Sequence, residues 1–454
     1  MLISWLLDYR FWITLLLSCA LGAMLNMVVP FLSSKPIFLL ALPLGLAFFA
    51  LLVIKPKWTL IILILTRPLL DNLLNISKVG VGEGQGVGIG AILNLAIIVL
   101  AIFLIFYSGN FINHIKVIRY WMIFLSLMFI VIFYSPYLFG AIRLYFNYLS
   151  YFAMLLIPFL VIKNREDFLF WLKILSLSFI LPVICGDVDM KRGGHYYVDA
   201  GMRVAGTFSH PNILAFYLVL GLTLYFYILK SKYWKLNSIT IWGIGILMIN
   251  MIILLIGTKT RNAWIACLGI FFIYGLLKDR KFLLILFLLI PILFFVPQVK
   301  KRVLTVVSSQ ADSDYKGINS MEWRLRMWKS CLPLIAQRPL QGYGLTSYLP
   351  MSAQFSTVGQ NGAHNAYLQL LFETGIFGLF SFIALFLSPL IIFFKKMISS
   401  INQVQARLWA IVVAYVISYL IICSADNMLY YLAFNWYVFF FIGLMLVAER
   451  YSYE

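Results

Sequence analysis

The sequence predicts an all-α, polytopic membrane protein with about 12–14 transmembrane helices, each near the twenty residues that cross a bilayer as helix. Three observations predict it. Hydrophobic residues fill 63% of 454 positions, while charged residues fill only 11%, against about 25% in ordinary globular chains. The mean hydropathy is +0.96. The apolar residues fall in runs of roughly twenty, long enough to cross about 30 Å of hydrocarbon.

In order, the candidate spans are 11–31, 36–54, 57–74, 88–107, 117–138, 141–162, 167–185, 208–230, 238–257, 262–277, 281–298, 365–394, 407–424 and 428–448. The first run lacks a small-residue cleavage site after it, so it is expected to stay as a helix. The third is weakened by Arg67, Pro68 and Asp71. Pro30, Pro182 and Pro291 are positions where a helix can kink or end. These runs divide the chain into an N-terminal membrane part (1–200), a second set of helices carrying arginine motifs (201–298), a long polar loop (299–363) and C-terminal helices (364–454).

Orientation follows from the loops. With the N-terminus in the cytoplasm, Lys55/Lys57, Lys116/Arg119, Lys163/Arg165, Lys230/Lys232/Lys235, Lys278/Arg280/Lys281 and Lys395/Lys396/Arg407 all fall inside, as the positive-inside rule requires. Residues 136–140, 186–203, 258–261 and 298–363 then face outward. The last of these is too short and irregular for a separate domain. Within it, residues 321–337 read as a helix at the membrane surface, with Arg324, Trp328 and Cys331 spaced to share a face. Pro-Leu-Gln-Gly-Tyr (339–343) ends that helix with turn residues.

The net charge of +19 is spread over short loops with no long basic run, which suits orientation and anionic lipid and argues against nucleic acid. Cys19, Cys185, Cys267, Cys331 and Cys423 lack paired spacing and read as packing residues, not a disulfide or zinc framework. Gly86-Val-Gly88-Ile-Gly90-Ala91 mimics a dinucleotide fingerprint, but no strand precedes it and a membrane span follows. Asp187-Val-Asp189 is a lone acidic pair with no further ligands, a weak metal signal.

The outward arginines and histidines carry the chemistry. Arg203, Arg261 and Arg324 sit near the outer ends of different segments with few carboxylates to pair them. Arginine near hydrocarbon costs several kcal/mol unless paired or hydrated. Snorkelling to headgroups is one account of them; a shared anion such as a diphosphate, gripped bidentately, is the other. His210, before Pro211-Asn212, reads either as a helix cap or as a ligand contact. His364 opens a helix at the end of the longest polar segment, where an outward imidazole can take a proton from a hydroxyl. Asn365 lies beside it. Glu373, further along with Gln369, could pair with an arginine, orient a polar network or act as a base.

Four stretches in this order resemble the O-antigen ligase/polymerase superfamily of bacterial membrane glycosyltransferases. They are Arg-Val-Ala-Gly-Thr-Phe-Ser-His-Pro-Asn (203–212), Thr-Lys-Thr-Arg-Asn-Ala-Trp (258–264), Arg324-x-x-x-Trp328 followed by Pro-Leu-Gln-Gly-Tyr-Gly (339–344), and Ala-His-Asn-x-x-Leu…Glu-Thr-Gly-x-x-Gly (363–378). The resemblance covers about residues 200–385. It implies a GT-C-like fold in the bacterial inner membrane and an undecaprenyl-diphosphate-linked glycan donor. It also implies inverting transfer at the periplasmic face with no metal or other cofactor. On the matching positions, His364 would be the general base. Arg261 and Arg324 would hold the diphosphate, with Arg203 and His210 as further candidates and Trp328 as a sugar-stacking or packing residue. The family more often has Ser-Arg where this chain has Thr260-Arg261.

The acceptor stays open. A polymerase passes the glycan to another lipid-linked repeat, a ligase to lipid A–core, and the 203–212 and 339–344 stretches look more like the polymerases. A protein-glycosylating oligosaccharyltransferase ranks third, because the chain has no long C-terminal extension. A lipid-linked glycan transporter would suit Arg143 and Asp426 in or beside spans. No inverted repeat supports it, and the polar residues concentrate outside the midplane.

Overall fold

A computed structural model describes residues 50–76, 89–108, 115–198, 201–293, 295, 300, 320–356 and 360–449. The helices are α1 (Pro56–Ile76), α2 (Ile89–Ser108), α3 (Ile115–Ile132), α4 (Leu138–Val161), α5 (Arg165–Leu177), α6 (Ile180–Lys191), α7 (Pro211–Ser231), α8 (Ser238–Gly257), α9 (Arg261–Lys278) and α10 (Arg280–Leu293). They continue as α11 (Ser320–Gln337), α12 (Tyr348–Phe355), α13 (Ala366–Ser399), α14 (Gln403–Cys423) and α15 (Leu432–Ala448). Among the described residues, nine spans are long and apolar enough to cross a membrane. The chain is an all-α, multi-pass membrane protein. The expected spans 11–31 and most of 36–54, and most of the glycine-rich stretch, lie outside the described residues.

At the centre stands α15, 17 residues long and buried from Ala433 to Ala448. It packs on α4 so closely that a Cβ at Gly443 would strike the Leu155 carbonyl, the small-residue contact by which membrane helices gain van der Waals area. Two of the basic helix ends are paired with acids, Lys57 with Asp167 at 3.3 Å and Lys396 with Glu449 at 2.7 Å.

Three expectations need correction. The third span is not interrupted: α1 runs through Arg67, Pro68 and Asp71. Its charges are tolerated because Arg67 donates to Asp71 at 3.1 Å, one turn on, and because the 203–212 loop docks there. The Thr207 hydroxyl donates to the Pro68 carbonyl and the Asn72 amide donates to the Thr207 carbonyl, at 2.7 and 3.0 Å. The Pro68 carbonyl and the Asn72 amide are the i and i+4 partners of a regular helix, so the loop takes part in one rung of the α1 ladder without ending the helix. Asp71 also accepts from the amide and hydroxyl of Ser209, at 3.0 and 2.8 Å.

Second, the outward loop expected from residue 186 begins later, because α6 continues to Lys191. The expected 167–185 span is two helices, α5 and α6. Pro182 has no N–H for the Ser178 carbonyl, and the Tyr217 hydroxyl serves that carbonyl instead at 2.9 Å. Asp187 and Asp189 are therefore helical. Asp189 accepts from the amides of Ala205 and Gly206 at 2.9 and 2.8 Å and lies 2.8 Å from His195 Nδ1. Beyond α6, Tyr196–Val198 and Gly201–Arg203 pair as a short antiparallel ribbon.

Third, the buried face of α11 is Trp323, Met327, Cys331 and Ile335. Arg324 and Trp328 stand beside it, half-buried. That face packs on the first turns of α13, which breaks at Gly375 (φ 66°). Carbonyls released by the break accept from the 339–344 turn: Tyr343 donates to Phe372 at 3.0 Å and Gly344 to Glu373 at 2.8 Å. In return Ile376 donates to Pro339 at 2.9 Å. A Cβ at Gly375 would strike the Leu340 carbonyl, and one at Gly342 would lie 2.6 Å from the Glu373 backbone.

Candidate active site

His364 lies one residue before the N-cap of α13. Asn365 provides that cap, accepting from the Leu368 amide at 3.1 Å, and its own amide donates to Asn427 at 3.0 Å. On the other side the Trp328 indole donates to the Ala363 carbonyl at 2.7 Å. Held from both flanks, His364 adopts a left-handed backbone with φ of 46°, a conformation uncommon outside glycine. Its ring meets the Trp323 indole edge to face, centroids 5.6 Å apart.

The buried edge of that ring faces an acid. His364 Nδ1 has no hydrogen-bond partner and stands 3.8 Å from Asp426 Oδ1. The His364 side chain is 32% exposed and that of Asp426 only 1%, so the exposed part of the imidazole lies away from Nδ1. Asp426 belongs to the 424–431 turn between α14 and α15. Its Oδ1 accepts from the Asn427 amide at 2.9 Å and the Tyr431 hydroxyl at 2.8 Å, and its Oδ2 accepts from Asn212 at 3.2 Å. Burial alone would raise its pKa; His364 and the Tyr431 hydroxyl outweigh that and hold the carboxyl below the usual range.

The same turn gathers cationic segments. The Ala425 carbonyl accepts from Arg324 at 3.2 Å and from Asn262 at 2.9 Å. Arg324 Nε is buried without a hydrogen-bond partner. Arg261, half-buried, opens α9 between Thr260 and Asn262. Arg203 is committed to the protein through two nitrogens: Nε donates to the Thr258 carbonyl at 2.8 Å, and Nη2 to Asn212 at 2.9 Å and Thr260 at 2.8 Å.

His210 caps α7, its Nδ1 accepting from the Asn212 amide at 3.0 Å, and its ring meets Tyr196 edge to face. Burial, with Arg203 nearby, pushes its pKa down to about 4. Glu373 is fully engaged elsewhere. It accepts from Gln369 at 2.9 Å, from the amides of Thr346 and Tyr348 at 3.0 and 3.4 Å, and from the Tyr430 hydroxyl at 3.2 Å. These bonds fasten the 344–348 loop to α13.

Thus His364, Arg324 and Asn365 converge on the 424–427 turn, and Trp328 holds the segment just before His364. Arg261 precedes the Asn262 that bonds the turn, Arg203 and His210 reach it through Asn212, and Glu373 works on the loop behind. Sequence reasoning missed Asn212, Asn427 and Tyr431, and took Asp426 only as a polar residue beside a span. The available signal was Ser-Ala-Asp-Asn (424–427), a compact polar turn between two apolar helices.

Residues 246–383 match the family model described as O-antigen ligase. The chain carries a segment similar to that family. The matched segment contains Arg261, Arg324, Trp328, His364, Asn365 and Glu373, while Arg203, His210, Asn212 and Asp426 lie outside it. The General O-oligosaccharyltransferase of Acinetobacter baylyi (strain ATCC 33305 / BD413 / ADP1) is 28% identical over 195 residues, which is 38% of this chain and 32% of that protein. The aligned part thus spans about a third of the length of the curated relative.

Proposed function

We propose that the chain is a metal-independent membrane glycosyltransferase that moves a glycan from a polyprenyl-diphosphate carrier to a hydroxyl acceptor. The observation that carries this reading is an accessible imidazole, His364, whose opposite edge faces the buried carboxylate of Asp426 beside the Arg324 and Arg261 segments. Asp426 orients the ring and favours the imidazolium once formed, as an acid behind a catalytic histidine does. His364 takes the proton as the acceptor oxygen bonds to the anomeric carbon. The bond from that carbon to the phosphate oxygen breaks, and the diphosphate leaves as an anion. Arg324 and Arg261 balance its growing charge, the part a metal plays in other transferases. Attack opposite the leaving group inverts the anomeric centre. Positive-inside orientation puts this end of the bundle at the periplasmic face of the inner membrane.

Two acceptors fit. The 203–212 and 339–344 stretches favour a second lipid-linked repeat, hence a polymerase, whereas the family match favours ligase-type transfer to lipid A–core. The test is purified full-length protein given lipid-linked repeat units without metal or nucleotide, with lipid A–core as a competing acceptor. Chain growth on the carrier supports a polymerase and glycan on lipid A–core a ligase. Absence of any glycosidic product, with glycan-loaded carrier moved across proteoliposomes, would favour a transporter and sink the enzyme reading.

A further inference from the structure

His210 has two ring nitrogens with different duties. The Asn212 amide donates to Nδ1 at 3.0 Å, so Nδ1 must present its lone pair and the neutral ring carries its hydrogen on Nε2. Protonating Nδ1 would break this capping bond and set a cation close to Arg203. His210 is half-buried, and no acceptor among the described residues takes Nε2. The ring lies within electrostatic reach of Arg203, Asp426 and His364. A donor fixed in tautomer, half-buried, free of any protein acceptor among the described residues and near Arg203 matches an anionic oxygen. It does not match a base, because the only basic nitrogen of the neutral ring is already occupied.

We propose that His210 is a diphosphate-binding residue, donating from Nε2 to a phosphoryl oxygen of the lipid-linked donor while Nδ1 caps α7. This assignment rests on the glycosyltransferase reading above and adds to it a neutral donor alongside the cations. It also separates His210 from His364: one ring gives a hydrogen bond to the leaving group, the other takes a proton from the acceptor.

Two substitutions part the duties. His210→Asn keeps a capping oxygen for the Asn212 amide, since asparagine is among the best N-caps, but places no donor where Nε2 stood. His210→Gln returns an amide N–H near the Nε2 position and weakens the cap. The purified full chain in detergent is titrated with farnesyl diphosphate, and with inorganic pyrophosphate in a parallel arm, while unfolding temperature is followed separately. The expected result is about tenfold weaker binding of both probes by His210→Asn, the usual worth of a hydrogen bond to a charged group, at an unchanged unfolding temperature. His210→Gln should bind within about threefold of the parent and melt earlier, having lost a cap worth about 1 kcal/mol. Parent-like binding by His210→Asn would overturn the assignment and leave a cap alone. If the parent chain bound neither probe, the lipid-diphosphate reading itself would fall.

Discussion

Arg203 and Asp426 are joined through one side chain: the Asn212 amide oxygen accepts from Arg203 at 2.9 Å, and its nitrogen donates to Asp426 at 3.2 Å. A cation on one side and an anion on the other leave the amide a single favourable orientation. Through it the 203–212 loop and the 424–431 turn hold each other, although more than two hundred positions separate Asn212 and Asp426 in the chain.

Asn212→Asp tests this link. A carboxylate there still meets Arg203 but repels Asp426, and in a buried cluster one of the two acids must take up a proton. Glycan transfer should fall at least about tenfold, with a lower unfolding temperature at pH 8 than at pH 6. Parent-like turnover in a lipid-linked repeat assay would show that the amide does not organise the site.

Asp426→Asn keeps the shape of the turn and removes the negative charge behind His364. Losing such an orienting partner costs roughly 10- to 100-fold, and the deficit should appear in kcat with little change in KM for the donor. His364→Ala should abolish turnover while expression and unfolding temperature persist. Turnover surviving in His364→Ala would remove it as the base.

Arg324→Lys keeps a charge but not the fork that holds two phosphoryl oxygens. Its donor KM should rise and its kcat fall, by about 10²-fold together in kcat/KM. An unchanged KM would place the diphosphate away from α11.

Gly375→Ala should lower the unfolding temperature, because φ is 66° and the new Cβ meets the Leu340 carbonyl. Strain of this kind costs on the order of 1–3 kcal/mol before the clash is counted. Gly243→Ala is the contrasting case: nothing lies within 4 Å of its Cβ, and alanine is favoured over glycine by about 1 kcal/mol inside a helix. The two changes should move stability in opposite directions in thermal melts of detergent-solubilised protein.

His210 makes stability depend on pH. Its folded pKa is about 4, against about 6.5 in an unfolded chain. Between those values the unfolded state binds the proton and the folded state does not, so stability falls as pH drops through this window. The full contribution is on the order of 3 kcal/mol, set by burial and Arg203 against the pull of Asp426. The unfolding temperature of the parent should drop more between pH 7 and pH 4.5 than that of His210→Asn. Equal drops would assign the acid sensitivity to other groups.

The bundle was legible because hydrophobic runs report helices directly, and basic loops report which ends share a side. His364, Arg261 and Arg324 stand out in the sequence because a charge or an imidazole at an apolar boundary needs a reason to be there. What periodicity could not disclose was pairing across the sequence. Asp71 looks like a flaw in a span until Ser209 and Arg67 occupy it. Asp189 looks like half a metal motif until two loop amides reach it. Glu373 looks like a lone acid inside a helix until Thr346, Tyr348, Gln369 and Tyr430 surround it. Each of these acids has partners drawn from distant segments as well as near ones, and no local pattern announces such partners.

The turn at 339–344 seated in the break of α13 carries a consequence for engineering. Backbone groups on each side complete the other's hydrogen bonds, and both Gly342 and Gly375 are hemmed in by the opposite strand of chain. Pro-Leu-Gln-Gly-Tyr-Gly and Glu-Thr-Gly are therefore one plug and one socket. A chimera that grafts the outer loop of a relative onto this bundle will fold only when both pieces travel together.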